Sequence, residues 1–202
     1  MNCPALFIID NVSQTRDWLT KIGQNKGIKT DNFNSAESFL YLVNTQQIGT
    51  IILENRLPGI DGISLQKKLN QQSSPLSLVF HSESISAPAA VEAIKQGAVD
   101  VLFKPTTENK IVNIIGRAME SSLQKAQHID IQTRLNSLTK KENIILNKML
   151  IGLTNQQIAN CLCISLRTVE VHRANIMKKF DAQNAITLAT KVANIKTTAF
   201  FF

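Results

Sequence analysis

The sequence predicts an α/β domain built on a parallel sheet, followed by a small all-helical domain. Short apolar segments alternate five times with segments of helical spacing over residues 6–124, and each crossover between parallel strands needs a helix to cover the sheet. Several helix N-cap signals then follow one another closely in the last third of the chain. Charge divides at the same place, because residues 1–130 carry 12 basic and 12 acidic side chains, whereas residues 131–202 carry 10 and 3.

The five predicted strands fall into two types. Residues 6–9, 50–53, 76–80 and 99–103 are short apolar runs typical of buried strands, whereas residues 28–33 alternate in polarity, as an edge strand does. Ser35 is a suitable N-cap for the second helix. Helical spacing predicts the intervening helices over residues 13–26, 35–43, 62–70, 87–96 and 107–124.

Polar side chains follow four of these strands, and we refer to them as the rim cluster. Asp10 and Asn11 come after the first strand, Glu54 after the third, Ser82 after the fourth and Lys104 after the fifth. The carboxyl ends of parallel strands meet at one edge of a sheet, so these side chains are expected to lie together. Acids, a hydroxyl and a lysine at one edge are the components of a phosphoryl-transfer site.

The first part of the chain resembles a CheY-like receiver domain over residues 4–122. The resemblance is carried by residues 55–62 (NRLPGIDG), residues 93–100 (AIKQGAVD) and the Lys104-Pro105 pair. It implies a five-stranded parallel sheet in the order 2-1-3-4-5 and a cis peptide bond before Pro105.

Three working positions differ from the receiver pattern. Glu54 stands where receivers place the phosphoacceptor aspartate, Asn11 where they place a second acid, and Val101 where they place a switching aromatic residue. The extra methylene of Glu54 displaces its oxygens by roughly an ångström, which can cost about a hundredfold in rate. A neutral amide at Asn11 weakens a Mg²⁺ site. We hypothesise that this receiver is not switched by phosphorylation, and that Glu54 reaches Lys104 and imitates the charge of the phosphorylated state, with Ser82 nearby. We expect no enzymatic activity and no cofactor.

Two alternatives stay open for the receiver. In the first, Glu54 simply pairs with Lys104, and the domain is a dimerisation or partner-binding scaffold that sequesters a sensor kinase or another regulator. In the second, Glu54 itself still accepts a phosphoryl group.

The last third of the chain predicts four helices with a helix-turn-helix among them. Thr139 and Thr154 each begin a capping box, Gly152 ends the first helix, and Ser165 caps a third helix over residues 166–180. A fourth amphipathic helix is predicted over residues 183–194, with Ile186 among its apolar positions.

The third of these helices has two faces. Val169, His172, Ile176 and Phe180 recur at spacings of three and four and are expected to pack. On the opposite face, the residues expected to contact base edges are Glu170, Val171 and Ala174. The residues expected to contact phosphates are Asn155, Arg167, Thr168, Arg173, Asn175, Lys178 and Lys179. The alternatives are that Glu170 pairs with Arg167 or Arg173, and that Val171 and Ala174 are ordinary surface positions.

Residues 152–159 (GLTNQQIA) and 164–175 (ISLRTVEVHRAN) resemble the LuxR-type helix-turn-helix, and the resemblance covers residues 134–196. Together with the receiver resemblance, the chain is similar to response regulators of the NarL/FixJ family. This implies a transcription regulator that binds double-stranded DNA at a two-fold operator as a homodimer, with the last helix in the dimer contact.

The domain boundaries follow from these assignments. We expect an atypical receiver over residues 1–122, a helical linker without Pro or Gly over 123–136, and the DNA-binding domain over 137–202. Phe200, Phe201 and Phe202 are expected to form a mobile tail or a packing peg, with a membrane or partner anchor as the alternative.

Composition adds three expectations. The chain contains no apolar run of about eighteen residues, so no membrane span is expected. Its first residues show no export signal, so we expect a cytoplasmic protein. Cys3, Cys161 and Cys163 have no metal-ligand spacing, and the latter two are expected to pack as small apolar side chains at a helix end.

Overall fold

The computed structural model describes residues 4–198. The chain divides into two compact units, Met1–Ala126 and Gln127–Phe202. The predictions for Cys3, Phe200, Phe201 and Phe202 lie outside the described residues. No helix within residues 4–198 is both long enough and apolar enough to cross a membrane.

The first unit alternates strands and helices as the hydrophobic pattern predicts. Its strands are β1 (Ala5–Ile9), β2 (Lys29–Phe33), β3 (Gly49–Leu53), β4 (Ser77–Ser82) and β5 (Asp100–Phe103). Its helices are α1 (Ser13–Asn25), α2 (Ala36–Leu42), α3 (Gly62–Gln71), α4 (Ala87–Lys95) and the first part of α5 (Glu108–Asn136). Ser35 caps α2 through its side chain, which accepts a hydrogen bond from the N–H of Ser38.

The sheet is parallel and has the order 2-1-3-4-5, which confirms the predicted fold class. Strand β2 lies at an edge, as its alternating polarity predicted. One face of the sheet buries Phe7, Ile9 and Leu53, and the other buries Leu6 and Ile8. This alternation follows from the two-residue period of a strand, and it leaves the polar residues at the carboxyl ends of the strands.

Three local features bear on the predictions. The Lys104–Pro105 peptide bond is cis, as the receiver resemblance implied. Strand β4 runs two residues farther than predicted, so Ser82 is its last residue instead of following it. Helix α5 continues without a break through residues 125–136, as the absence of Pro and Gly there predicted.

The second unit is all-helical. Besides the end of α5, it contains α6 (Lys140–Leu150), α7 (Asn155–Leu162), α8 (Leu166–Lys179) and α9 (Ala185–Thr198). The capping boxes at Thr139 and Thr154 are both present, and the Ser165 side chain caps α8 by accepting from the N–H of Thr168. These caps explain why the helix starts could be predicted, since each satisfies N–H groups that the helix itself leaves unpaired.

The core of the second unit includes most of the residues predicted for it. Val169, Ile176 and Phe180 are fully buried, whereas His172 is only half-buried. On α9, Leu188 and Val192 are buried, but Ile186 is 79 % exposed. The apolar face of α9 is therefore wider than the strip that this unit covers.

The prediction for the two cysteines of this unit is wrong, because both thiols are free and exposed. The buried stripe of α7 is formed by Ile158 and Ala159, with Leu162 packed beside them. Cys161 lies off this stripe at the helical spacing. Cys163 closes the helix in the left-handed conformation, with a φ of 51°, and is also exposed.

Candidate functional site

The rim cluster is centred on Lys104. Its ammonium group lies 2.6 Å from Oδ2 of Asp10 and 2.8 Å from Oε2 of Glu54. Asp10 follows β1, Glu54 follows β3 and Lys104 follows β5, so the sheet order brings them together from positions far apart in the chain. Asp10 and Glu54 are 2 % and 5 % exposed. The lysine therefore joins two buried carboxylates.

Both carboxylate oxygens of Glu54 are fully engaged. Oε1 accepts hydrogen bonds from the hydroxyl of Ser82 and from the N–H of Arg56. Oε2 accepts from the ammonium of Lys104 and, at 3.4 Å, from the N–H of Glu83. The carboxylate is thus held by a hydroxyl, an ammonium and two backbone amides.

The electrostatics keep this pair charged. Burial alone would raise the pKa of Glu54, but the hydrogen bonds from Lys104 and Ser82 outweigh it and hold the pKa below its ordinary value. Burial would likewise lower the pKa of Lys104, and its hydrogen bonds to Asp10 and Glu54 raise the pKa instead. At neutral pH Glu54 and Lys104 therefore form a carboxylate–ammonium pair.

Asn11 differs from the other four residues of the rim cluster in its exposure. Its side chain is exposed, and within residues 4–198 it makes no hydrogen bond to the cluster. Asp10 instead turns one oxygen back to accept the N–H of Val12 at 2.8 Å. The structure thus brings together Asp10, Glu54, Ser82 and Lys104, and leaves Asn11 outside.

The receiver resemblance implies a Mg²⁺ ion at this rim, and the residues present do not fit it. Magnesium is usually held by carboxylates that are free to coordinate it. Here Lys104 donates hydrogen bonds to Oδ2 of Asp10 and Oε2 of Glu54, and Asn11 has a neutral amide in place of a carboxylate. Across the part of the chain that the structure describes, no three His, Cys, Asp or Glu side chains form a metal-binding group.

Val101 stands where the receiver resemblance implies a switching aromatic residue. It is partly buried and packs against the apolar core on one face of the sheet. A small β-branched side chain at this place fills space but has no ring to move between two positions.

His81 is a residue that the sequence reasoning missed. It is 2 % exposed, and neither ring nitrogen has a hydrogen-bond partner within residues 4–198. Its ring centroid lies 6.1 Å from that of Trp18. The available signal was a histidine between Phe80 and Ser82 in an otherwise apolar strand, where the alternation of side chains calls for a buried apolar residue.

In the second unit, α8 presents the predicted base-contacting face to solvent. Glu170, Val171 and Ala174 are all exposed, with Val171 at 47 %. Nη1 of Arg167 lies 3.8 Å from Oε2 of Glu170, which is the pairing considered as the alternative role of Glu170. This contact is long and exposed, and such pairs contribute little to stability. It leaves the carboxylate accessible to another partner.

The predicted phosphate-contacting residues differ in accessibility. Arg167, Asn175 and Lys178 are exposed, whereas Asn155, Thr168 and Arg173 are half-buried. Asn155 is the first residue of α7, where N–H groups and the helix dipole favour an anion. The hydroxyl of Thr168 is hydrogen-bonded to that of Ser165.

Lys179 contacts other parts of its own unit. Its ammonium group lies 2.8 Å from Oε2 of Glu142 and 2.9 Å from the carbonyl oxygen of Ser137. Glu142 is 4 % exposed and closes the capping box of α6. The hydrogen bonds from Lys179 and from the N–H of Thr139 lower the pKa of Glu142 to about 2. Lys179 therefore joins α8 to α6, and its predicted contact with a DNA phosphate stays a prediction.

A parallel-sheet unit with a lysine–carboxylate rim, followed by a helix-turn-helix unit with an exposed basic helix, defines the response-regulator class of transcription regulators. Two family models match the chain, "Response regulator receiver domain" over residues 6–116 and "Bacterial regulatory proteins, luxR family" over residues 136–192. The chain belongs to the response regulators that join a receiver domain to a LuxR-type DNA-binding domain.

Similar proteins of known name support this membership over nearly the whole chain. Transcriptional regulatory protein FixJ of Bradyrhizobium diazoefficiens is 33 % identical over 183 residues, which cover 89 % of each chain. Response regulator protein TmoT of Ectopseudomonas mendocina is 31 % identical over 196 residues, which cover 95 % of this chain and 89 % of TmoT.

Two solved structures are also similar to this chain over nearly its whole length. Response regulator StyR is similar with a TM-score of 0.72 and 32 % identity, over 95 % of this chain and 99 % of StyR. Full-length FixJ from B. japonicum is similar with a TM-score of 0.57 and 31 % identity, over 98 % of this chain and 99 % of FixJ. The chain is thus a DNA-binding regulator of transcription of the two-component type.

Proposed function

We propose that this chain regulates transcription in the cytoplasm as a homodimer on a two-fold DNA site, that it is not an enzyme, and that aspartyl phosphorylation does not switch its receiver. The observation that carries the last point is the engagement of both Glu54 oxygens by Ser82 and Lys104. The domain limits that we propose are 1–122 for the receiver, 123–136 for the linker and 137–202 for the DNA-binding domain.

Glu54 replaces a phosphoryl group through the length and the negative charge of its side chain. A phosphoryl group on an aspartate would carry negative oxygens beyond the carboxylate, toward the hydroxyl and ammonium at the rim. Glu54 is one methylene longer than aspartate and brings its own negative oxygens to the same two donors. Charge-assisted hydrogen bonds of this kind are among the stronger ones in proteins. Glu54 therefore places a permanent negative charge beside Ser82 and Lys104, where phosphorylation would place a temporary one.

The same contacts argue against phosphorylation of Glu54. A nucleophilic carboxylate needs a free oxygen directed at the donor phosphorus and a metal ion to neutralise the developing charge. Both oxygens of Glu54 are occupied within the protein, and the rim does not suit Mg²⁺.

Exposed apolar side chains support dimerisation. In the receiver, Val91 and Ile94 of α4 are 53 % and 46 % exposed, and Phe103 of the adjoining β5 is 56 % exposed. In the DNA-binding unit, Ile186 of α9 is 79 % exposed. Clusters of this kind mark surfaces that bind other proteins. They equally suit the alternative in which the receiver holds a sensor kinase or another regulator.

For DNA, we propose that α8 enters the major groove. Glu170 accepts a hydrogen bond from a cytosine amino group, and Val171 and Ala174 contact thymine methyl groups. The residues proposed to bind phosphates are Asn155, Arg167, Thr168, Arg173, Asn175, Lys178 and Lys179, and Lys179 is also paired with Glu142.

Labelling with a phosphodonor tests the proposal for the receiver. The full-length chain incubated with radiolabelled acetyl phosphate and Mg²⁺ is expected to incorporate no stable label. The double variant Glu54→Asp, Asn11→Asp is expected to gain label, since it restores both carboxylates of the receiver pattern. Stable labelling of Glu54 in the unsubstituted chain would contradict the proposal.

A further inference from the structure

The first unit contains a recess beside the rim cluster, and Lys104 belongs to both. The proposed function places no ligand in this recess. It lies between α1, the end of β4 and the loop between β5 and α5, and its volume is about 640 Å³. This is within the range of sites for small molecules. The residues that line it are Thr15, Trp18, His81, Glu83, Lys104, Pro105 and Thr106.

The buried imidazole of His81 is the evidence for a ligand in this recess. It is 2 % exposed and lines the recess, yet neither nitrogen has a partner within residues 4–198. Buried polar groups are almost always hydrogen-bonded, so one that is not calls for an explanation. A neutral imidazole can donate through one nitrogen and accept through the other, which suits a hydrogen-bonding group on a bound molecule.

The other walls define the shape and charge of that molecule. The Trp18 ring lies beside His81, with a centroid separation of 6.1 Å and an interplanar angle of 34°, and its flat surface favours a planar ring. Burial, together with the positive charge of Lys104, lowers the pKa of His81 to about 4, so the imidazole is neutral at pH 7. The neighbouring carboxylates of Asp10, Glu54 and Glu83 outnumber Lys104, which disfavours an anion.

We propose that this recess binds a small, uncharged, planar aromatic molecule that stacks on Trp18 and hydrogen-bonds to His81. This binding site is distinct from the Glu54–Ser82 contact. It does not depend on whether Glu54 imitates a phosphoryl group, so either proposal can fail without the other.

The only tryptophan of the chain is Trp18, so its fluorescence reports on the recess directly. We would titrate the full-length chain with benzamide, following Trp18 emission and, on isotopically labelled protein, amide chemical shifts. Saturable changes are expected, with affinity in the millimolar range for so small a ligand. The shifted amides should cluster at α1, the end of β4 and the loop after β5.

Two matched probes test the chemistry of the ligand. Benzoate has the ring of benzamide with a negative charge, and cyclohexanecarboxamide has the same amide on a non-planar ring. Both are expected to bind at least about tenfold more weakly than benzamide, one through repulsion by the carboxylates and the other through loss of stacking.

Three variants test the role of His81. His81→Leu should weaken benzamide binding about tenfold, the effect of losing one hydrogen bond. His81→Gln should retain much of the affinity, because its amide still donates and accepts. His128→Leu, on α5 and outside the recess, is the control and should bind as the unsubstituted chain does.

Two results would overturn the proposal. One is the absence of a saturable response to benzamide in a chain that is folded and binds DNA. The other is binding that His81→Leu leaves unchanged, which would show that the ligand does not contact His81.

Discussion

Glu54 and His81 differ in how their polar atoms are satisfied, and this difference defines their roles. The carboxylate of Glu54 has four hydrogen-bond donors, whereas the imidazole of His81 has no partner within residues 4–198. Burial of a satisfied charge fixes a geometry, and burial of an unsatisfied polar group costs stability. The receiver thus has a rim cluster in which Glu54 is fully hydrogen-bonded. Beside it, at the end of β4, His81 is a buried imidazole with no hydrogen-bond partner in the described residues.

Burial of the unpaired imidazole of His81 is expected to lower the stability of the first unit. His81→Leu should raise the free energy of unfolding of the first unit by about 1–2 kcal/mol at pH 7, because it removes two unpaired buried nitrogens and keeps a side chain of similar size. Urea denaturation followed by Trp18 emission measures this. A loss of stability in His81→Leu would mean that the imidazole has favourable contacts that its surroundings do not reveal.

Because of the pKa of His81, the difference in stability between His81→Leu and the unsubstituted chain is expected to depend on pH. The folded-state pKa is about 4, below the ordinary value of 6.5, through burial and Lys104 and despite the opposing charges of Asp10 and Glu54. As pH falls from 6.5 to 4, the unfolded chain takes up a proton that the folded chain does not, so stability is lost. The advantage of His81→Leu should grow by up to about 3 kcal/mol over that window. A constant difference between pH 7 and pH 4 would contradict this.

At the rim, sequence reasoning could find residues but not their directions. Parallel strands bring their carboxyl ends together, which was enough to predict that Asp10, Glu54 and Lys104 meet. Asn11 was grouped with them because it is adjacent to Asp10, but consecutive side chains at a strand end face different ways. His81 was not singled out, because the absence of a hydrogen-bond partner is a property of the folded surroundings.

At the scale of helices, the sequence predicted where the helices begin, but it did not predict the contacts between helices. The caps at Thr139, Thr154 and Ser165 use atoms within four residues, so the sequence alone predicted them. The helical spacing of α8 could not show that Glu142 of α6 stands within 2.8 Å of Lys179. The neighbouring Lys178 is exposed and remains available to DNA.

These two adjacent lysines form a matched pair for a test. Lys179→Ala should lower the stability of the DNA-binding unit by about 1–2 kcal/mol, because it leaves the buried Glu142 without its partner. Lys178→Ala should leave stability within about 0.5 kcal/mol and weaken DNA binding uniformly across sequences. Thermal unfolding and DNA titrations of both variants measure these effects. Equal stabilities of the two variants would show that the contact of Lys179 with Glu142 does not stabilise this unit.

At the scale of the whole molecule, the distribution of charge agrees with the division of labour between the units. Residues 1–130 are balanced in charge and residues 131–202 carry the net excess of positive charge. Fold class could be predicted because alternating strand and helix patterns permit few topologies, whereas the strand order followed from the receiver resemblance. The continuity of α5 across the boundary at Ala126 was predictable only in part, since the absence of Pro and Gly allows a helix without fixing its end.

The basic unit predicts a steep dependence of DNA affinity on salt. Neutralisation of about six phosphates gives a slope near −5 for the logarithm of the association constant against the logarithm of salt concentration. Titrations of full-length protein at several salt concentrations measure it. Binding that does not change with salt would be inconsistent with the proposed phosphate contacts of α7 and α8.

The most direct test of the central claim is the affinity of the untreated full-length chain for operator DNA selected from genomic fragments. We expect one palindromic motif, bound equally well with and without acetyl phosphate and Mg²⁺, and bound about tenfold more weakly by Glu54→Gln, which keeps the length of Glu54 and loses its charge. Binding only after treatment with the phosphodonor would contradict the account. Full affinity in Glu54→Gln would equally show that the charge at the rim does not set the state of the protein.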